Sequence, residues 1–268
     1  MTATMTACAS DDAGEVVNTQ EPTDVLLTFS PYEVSAMTRA AVADYATRLD
    51  VWIVNGGDTI AVQQTKDDAG FASLQVTLDK RKTYALYAVA HKGTAAATLS
   101  EGVVTFPDNK VTHSFWYTTT FTPSETTSLH CLMDRIVGQF RVETTDAVPD
   151  EVASFDIHIG QSPTAWSVTA GGVNVQDRHA SFPTYTTKAD GTIALSCFII
   201  ATASEATAYT LTVTAYDEQG GVVQERVFVD VPVRNGYRST YRGAFFTDED
   251  FAASFTVNDW TDYEVVEF

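Results

Sequence analysis

The 268-residue sequence has no apolar run near the roughly 20 residues that cross a bilayer as a helix, so no helical membrane span is expected. Positive charge is scarce: 16 Lys and Arg face 35 Asp and Glu, a formal net charge of -19. Such a field repels nucleic-acid phosphates, so no nucleic-acid partner is expected, and the acidity reads as solubility outside the cell. Cysteine is rare as well. Cys8, Cys131 and Cys197 form no C-x-x-C pair, which removes zinc-ribbon and thioredoxin-type readings. Cys131 and Cys197 read either as a disulfide or as unpaired apolar fillers, the commoner role of separated strand cysteines. Catalytic signatures are missing too: there is no H-E-x-x-H, no G-x-S-x-G and no phosphate-binding loop. His91, His113, His130, His158 and His179 lie far apart and show no ligand spacing. Acidic groups at Asp11-Asp12, Asp67-Asp68 and Asp248-Glu249-Asp250 lack the spacing of a calcium loop and read as solvated loop tips.

What the sequence does have is alternation with period two. Leu74, Val76 and Leu78 alternate with Ser73, Gln75 and Thr77; Tyr209, Leu211, Val213 and Ala215 alternate with threonines. Ile136, Phe140 and Val142 sit on one parity of Arg135–Glu143, and Val227, Val229 and Val231 on one parity of Val223–Val231. Each pattern predicts a half-buried strand with one core face and one wet face. Further strands are expected at Val25–Phe29, Leu49–Asn55, Tyr84–His91, Thr112–Thr120, Phe155–Ile159, Thr192–Thr202, Arg238–Phe246 and Ser254–Val257. Turn signals such as Asn55-Gly56-Gly57-Asp58 and Asn235-Gly236 separate them, which points to an all-β sandwich or barrel. One stretch differs: Ser30-Pro31-Tyr32-Glu33 reads as a helix cap before the alanine-rich Ser35–Thr47, which is either one helix or a long loop.

The length predicts two domains. Phe121–Ser128, polar and carrying Pro123, is the best linker. The expected division is a tether at 1–23, one β-sandwich at 24–125 and a second at 126–268.

The two ends carry functional signals. Met5-Thr6-Ala7-Cys8 resembles the end of a lipobox, in which small residues precede a cysteine that becomes lipid-modified. Met1–Ala7 has neither the basic start nor the apolar stretch of a secretory leader. Asp11–Thr23 reads as a flexible tether. At the other end Phe251–Trp260 is expected to complete its own sandwich. Thr261, Asp262, Tyr263, Glu264, Val265, Val266, Glu267 and Phe268 then form an alternating tail long enough to lie along a neighbour's sheet edge.

Larger pieces look familiar together. Pro31-Tyr32-Glu33, Arg48–Ile53, Leu78-Asp79-Lys80, Thr83–Lys92, Phe106-Pro107 and Lys110–His113, followed by Met133–Phe140, Val233–Arg238 and Tyr241-Arg242-Gly243, resemble the FimB-like fimbrial anchor family of Bacteroidales. The likeness runs from about Cys8 to the end. It implies two tandem transthyretin-like β-sandwiches and an outer-membrane lipoprotein anchored through Cys8. Such a protein attaches a fimbria to the cell, limits its length and meets a stalk subunit by strand addition. The resemblance implies no enzyme activity and no cofactor. Two other functions compete with this one. A surface glycan-binding lipoprotein requires tryptophans or tyrosines coplanar on an exposed face, drawn from Trp52, Trp116, Trp166, Trp260 and the tyrosines. A secreted hydrolase requires a cleft with paired carboxylates of perturbed pKa.

Overall fold

The computed structural model describes residues 21–32, 42–124, 128–202, 206–247 and 254–259. Strands hold 62% of the chain and helix 3%, which makes the fold all-β. The first half contributes β1 (Pro22–Pro31), α1 (Val42–Tyr45), β2 (Arg48–Asn55), β3 (Asp58–Thr65), β4 (Ser73–Asp79), β5 (Tyr84–His91), β6 (Thr98–Ser100), β7 (Val103–Thr105) and β8 (Phe115–Phe121). There follow β9 (Ser128–Arg135), β10 (Gly138–Thr144), β11 (Ser154–Ser167), β12 (Gly171–Phe182), β13 (Ala194–Ile199), β14 (Thr207–Tyr216), β15 (Val222–Val233), β16 (Tyr237–Gly243) and β17 (Ser254–Asp259).

The first sheet runs β3-β2-β5-β8-β9-β1-β4. Only the pairs Phe115–Arg135 and Trp116–Asp134 join β8 to β9, and there the sheet folds over into two layers. Leu49, Val51 and Ile53 of β2 with Leu86, Ala88 and Ala90 of β5 form one wall of a core. Val25, Leu27 and Phe29 of β1, Val76 and Leu78 of β4, and Cys131 and Met133 of β9 form the other. Each buried Leu, Ile or Phe here contributes about 1.5–3 kcal/mol of transfer free energy. In the second half the sheet β13-β10-β16-β17 packs on β15-β14-β11-β7-β6, with β12 also paired to β11. Phe140, Val142, Leu195 and Cys197 from one side meet Phe155, Ile157, Leu211, Val213 and Phe228 from the other.

A third apolar cluster binds the halves together. Trp52, Val89 and Trp116 project from the opposite face of β2, β5 and β8 against Phe106, Ile136, Val137 and Ile200, with Trp166 and Phe198 alongside. This middle sheet is therefore buried on both faces. β7, from the first half of the sequence, pairs with β11 of the second through Thr105–Ala165 and Val104–Trp166. The buried His113 ring stacks on Phe198 with centroids 5.4 Å apart. Arg135 Nε donates to His113 Nε2 at 3.0 Å. Burial, and then the charges of Arg135 and Lys92, hold the His113 pKa well below its usual value, so it is neutral at pH 7.

A buried ionisable pair fixes the chain as it leaves β5. Asp50 and His91 are both 0% exposed, and His91 Nε2 donates to Asp50 Oδ2 at 2.9 Å. Ala97 N–H donates to the same oxygen, and Gly93 N–H donates to His91 Nδ1. The loop after β5 is thereby tied to β2 from both ring nitrogens of one histidine.

Several sequence expectations change. The run Arg135–Glu143 is two strands broken at Ile136-Val137, because Ile136 enters the middle cluster while Phe140 enters the second core. Gly138 sits at that break, where a Cβ would come within 2.6 Å of the Arg234 carbonyl oxygen. β9 lies beyond the expected linker, yet pairs in parallel with β1 and so belongs to the first sheet. Ser30 and Pro31 end a strand and do not cap a helix; α1 is a single turn, and residues 33–41 lie outside the described set. In β15 the expected inward row Val227, Val229, Val231 is split. Tyr209 pairs with Val231 but Leu211 pairs with Phe228, so β15 carries one extra residue, and Asp230 there has φ +53°. That bulge turns Phe228 and Val231 inward and leaves Val227 and Val229 56% and 66% exposed. Cys131 and Cys197 are unpaired and buried in different cores, and burial pushes both thiols up to about 12.

Candidate functional site

The two layers of the first sandwich are unequal. β8, β5, β2 and β3 make four strands, while β9, β1 and β4 make three, so among the described residues no strand faces β3. Ile60, Val62 and Gln64 of β3 pair with Ile53, Val51 and Leu49, which puts them on the core-facing side of their sheet. Yet Ile60 is 41% exposed, although its partner Ile53 is only 1% exposed. An inward-facing isoleucine that meets solvent marks a place where the cover is missing.

The opening is closed at one end and open at the other. Near the β3–β4 connection the Gln64 side chain imitates a strand pair: its Nε2 donates to the Ser73 carbonyl, and its Oε1 accepts the Ala72 N–H, both at 3.0 Å. At the far end a cavity of about 260 Å³ lies between the two layers, with Ile53, Ile60, Leu78 and Tyr84 as its apolar lining. Asp58, Asp79, Asn55 and Lys82 stand at its polar rim. Asp79 is tightly held. Arg81 donates to it from Nε and Nη2, each at 3.3 Å, and from its backbone N–H at 3.0 Å. The Arg81 side chain is the largest cause of an Asp79 pKa lowered to about 2. Asp79 N–H donates to the Tyr84 hydroxyl, Asn55 Nδ2 donates to the Thr83 carbonyl, and Lys80 pairs with Glu21. The rim is thus a fixed polar frame around an apolar slot.

β4 pairs with β1 through seven consecutive residues and ends the sheet. Among the described residues no strand pairs with its second edge, which offers free backbone donors and acceptors between Ser73, whose carbonyl Gln64 takes, and Asp79, whose N–H Tyr84 takes. Chemically, the arrangement suits an extended segment that adds to β4, bonds its backbone to that edge and lays alternate apolar side chains over Ile60.

Other candidates from the sequence fall elsewhere. Cys8 and Thr261–Phe268 lie outside the described residues. β17 pairs antiparallel with β16, so Ser254–Asp259 completes its own sheet. Trp52 and Trp116 are buried in the middle cluster, Trp166 packs against it, and Trp260 lies outside the described residues. Among the described residues the tryptophans form no exposed platform for a sugar. Asp68 accepts from the Thr65 N–H and hydroxyl, a turn cap of the kind expected of a loop tip. The open edge itself was missed, because β3 was not recognised as a strand. Its signal was present in Ile60 and Val62 following the Asn55-Gly56-Gly57-Asp58 turn.

The pattern that defines a family of unknown function, DUF6562, matches residues 104–265, more than half of the chain. The chain belongs to this family. The match begins within β7 and leaves out β1 to β6, β3 and β4 among them. No curated protein matches it. Among solved structures it is similar to a candidate polysaccharide-binding protein from Bacteroides thetaiotaomicron. The two are 12% identical over 88% of this chain and 96% of that one, with a TM-score of 0.56. It is also similar to a candidate adhesin from the same organism, 12% identical over 91% and 98% of the chains, TM-score 0.52. The fimbrial anchor protein Mfa2 from Porphyromonas gingivalis aligns over 89% and 98% of the chains at 15% identity, with a TM-score of 0.49 too low to carry weight. At such identities the likeness establishes the fold.

Proposed function

We propose that this DUF6562 protein is a non-enzymatic fimbrial anchor of the bacterial surface, built of two tandem transthyretin-like sandwiches. In this reading it is held to the outer membrane by a lipid on Cys8. It receives an extended strand of a stalk subunit along β4, and its own tail Thr261–Phe268 contributes to the same contact. The observation that carries the reading is the four-against-three layering that, among the described residues, leaves Ile60 41% exposed beside an edge no strand pairs with. The candidate adhesin that shares the fold supports a surface role. The burial of Trp52 and Trp116 counts against a glycan platform.

The test is co-expression with the stalk subunit in a fimbriated host. Ile60→Asp puts a charge where the added strand lays apolar side chains, on a residue too exposed to be needed for folding. The variant is expected to melt within a few degrees of the wild type and to lose the stalk. A folded Ile60→Asp protein that retains the stalk overturns the reading. Anchoring is tested separately: Cys8→Ser should move the protein from the detergent phase to the soluble fraction, since acyl chains supply the lasting attachment. Unchanged partitioning would remove the lipid from the account.

A further inference from the structure

The outer face of the second sandwich carries a cluster unrelated to the open edge. His158 of β11 and His179 of β12 are directly opposite each other across the pair, and Asp156 is opposite Ser181. Side chains two residues apart share a face, so Asp156, His158, His179 and Ser181 point to the same wet side. The two imidazoles lie 4.9 Å apart between centroids. His179 Nδ1 is 2.7 Å from Asp156 Oδ2, and the other oxygen of Asp156 accepts the Ser181 hydroxyl at 2.7 Å. His158 Nε2 faces Asp177 Oδ2 at 3.7 Å. Asp177 is pinned in turn by Gln161, whose backbone N–H and Nε2 both reach its Oδ1 at 2.9 Å. Those two bonds lead the causes that hold the Asp177 carboxyl below its ordinary pKa. Gln161 occupies a bulge in β11, with φ +48°, that turns it toward Asp177. Bulges commonly re-aim a side chain beside a site.

We infer that His158 and His179 together bind one borderline divalent cation, of which zinc is the type, through His179 Nε2 and His158 Nδ1. Imidazole suits zinc, copper and nickel, and a ligating histidine characteristically presents its other ring nitrogen to a carboxylate. Here His179 has such a carboxylate at hydrogen-bond distance and His158 has one nearby at 3.7 Å, and each carboxylate has its own donor, Ser181 for Asp156 and Gln161 for Asp177. The contrast with other histidines is direct. His91 uses both nitrogens on Asp50 and Gly93, and His130 uses both on Thr28 and Ser30 hydroxyls. His179 and His158 side chains are 61% and 36% exposed, so a cation reaches them from solvent. No third side chain completes the set among the described residues, which leaves the remaining positions to water or to a donor on a neighbouring molecule. Asp156 and Asp177 are positioning residues.

The test is competition of the full, tag-free chain with a fluorescent chelator for zinc. One equivalent is expected to bind. His158→Ala and His179→Ala should each weaken it at least tenfold, Asp156→Asn should weaken it about tenfold, and His130→Gln should leave it unchanged. These side chains stand on a wet face, so circular dichroism and melting should match the wild type. In nuclear magnetic resonance the ring signals of His158 and His179 alone should shift with zinc. Failure of the wild type to bind zinc at millimolar concentration, or binding that survives both alanine variants, overturns the inference.

Discussion

Two sheet edges in this protein face the same hazard and are treated differently. β15 ends the larger sheet of the second sandwich and exposes Val222, Val227 and Val229. It is blunted in three ways. The bulge at Asp230 bends it, Pro232 removes a backbone donor, and Arg226 donates from Nε and Nη2 to the Phe245 and Thr247 carbonyls. Such devices stop edge-to-edge pairing. Among the described residues β4 in the first sandwich has neither bulge nor proline: it makes seven regular pairs with β1, with Gln64 bridging one end and the Tyr84 hydroxyl taking the Asp79 N–H at the other. In the proposed reading, the guarded edge is kept from pairing and the open one, beside an apolar slot, is the edge that pairs.

The comparison requires both edges to be carried on one rigid body, and the largest effects come from breaking that body. Trp116→Ala should remove about 3–5 kcal/mol of stability by hollowing the middle cluster, whereas Val229→Ala on β15 should change it by less than about 0.5 kcal/mol. Denaturant melts decide both. Asp50→Ala leaves a buried His91 without its partner, and should cost about 3 kcal/mol while releasing the loop to Ala97, seen as faster amide exchange there. Deleting Asp230 sharpens the comparison. It straightens β15 but forces either Phe228 or Val231 outward, so about 2 kcal/mol should be lost. The straightened edge should then self-associate, read by sedimentation at rising concentration.

The smallest effect concerns pH. Asp79 has a folded pKa of about 2, below the unfolded carboxyl, so it adds stability above the unfolded pKa near 4 that disappears as pH falls toward 2. Asp79→Asn should therefore flatten the acid limb of a melting-temperature profile between those values and lower the temperature above it. An unchanged acid limb would mean the Arg81 contact is idle.

Much of the fold was legible because regular strands with one wet face announce themselves. In β4 and β14 the residues read as inward from their alternation lie on the core side. Edge strands do not. β12 carries Gln176, Asp177, Arg178 and His179 in a row, since little of it is covered, and no apolar period survives. β15 misled for a different reason: its valines keep a perfect period in sequence, and the inserted residue at 229–230 that shifts their faces is set by pairing with Tyr209 and Leu211. The linker signal at Phe121–Ser128 coincides with a turn at Pro123-Ser124, but β9 beyond it pairs with β1. The open edge is a mismatch in strand number between layers, and the histidine pair joins residues 21 positions apart; both exist only once the strands are paired. Cysteine chemistry was clearer, since Cys131 and Cys197 occupy core positions on strands.

The central claim is that β4 is the receiving edge. Backbone amide exchange, read strand by strand in the free chain and in the chain bound to its stalk subunit, tests it most directly. The account predicts that the outward β4 amides of Gln75 and Thr77 slow sharply on binding while those of β15 do not change. Unchanged exchange along Ser73–Asp79 in a complex that slows β15 or another edge would contradict it.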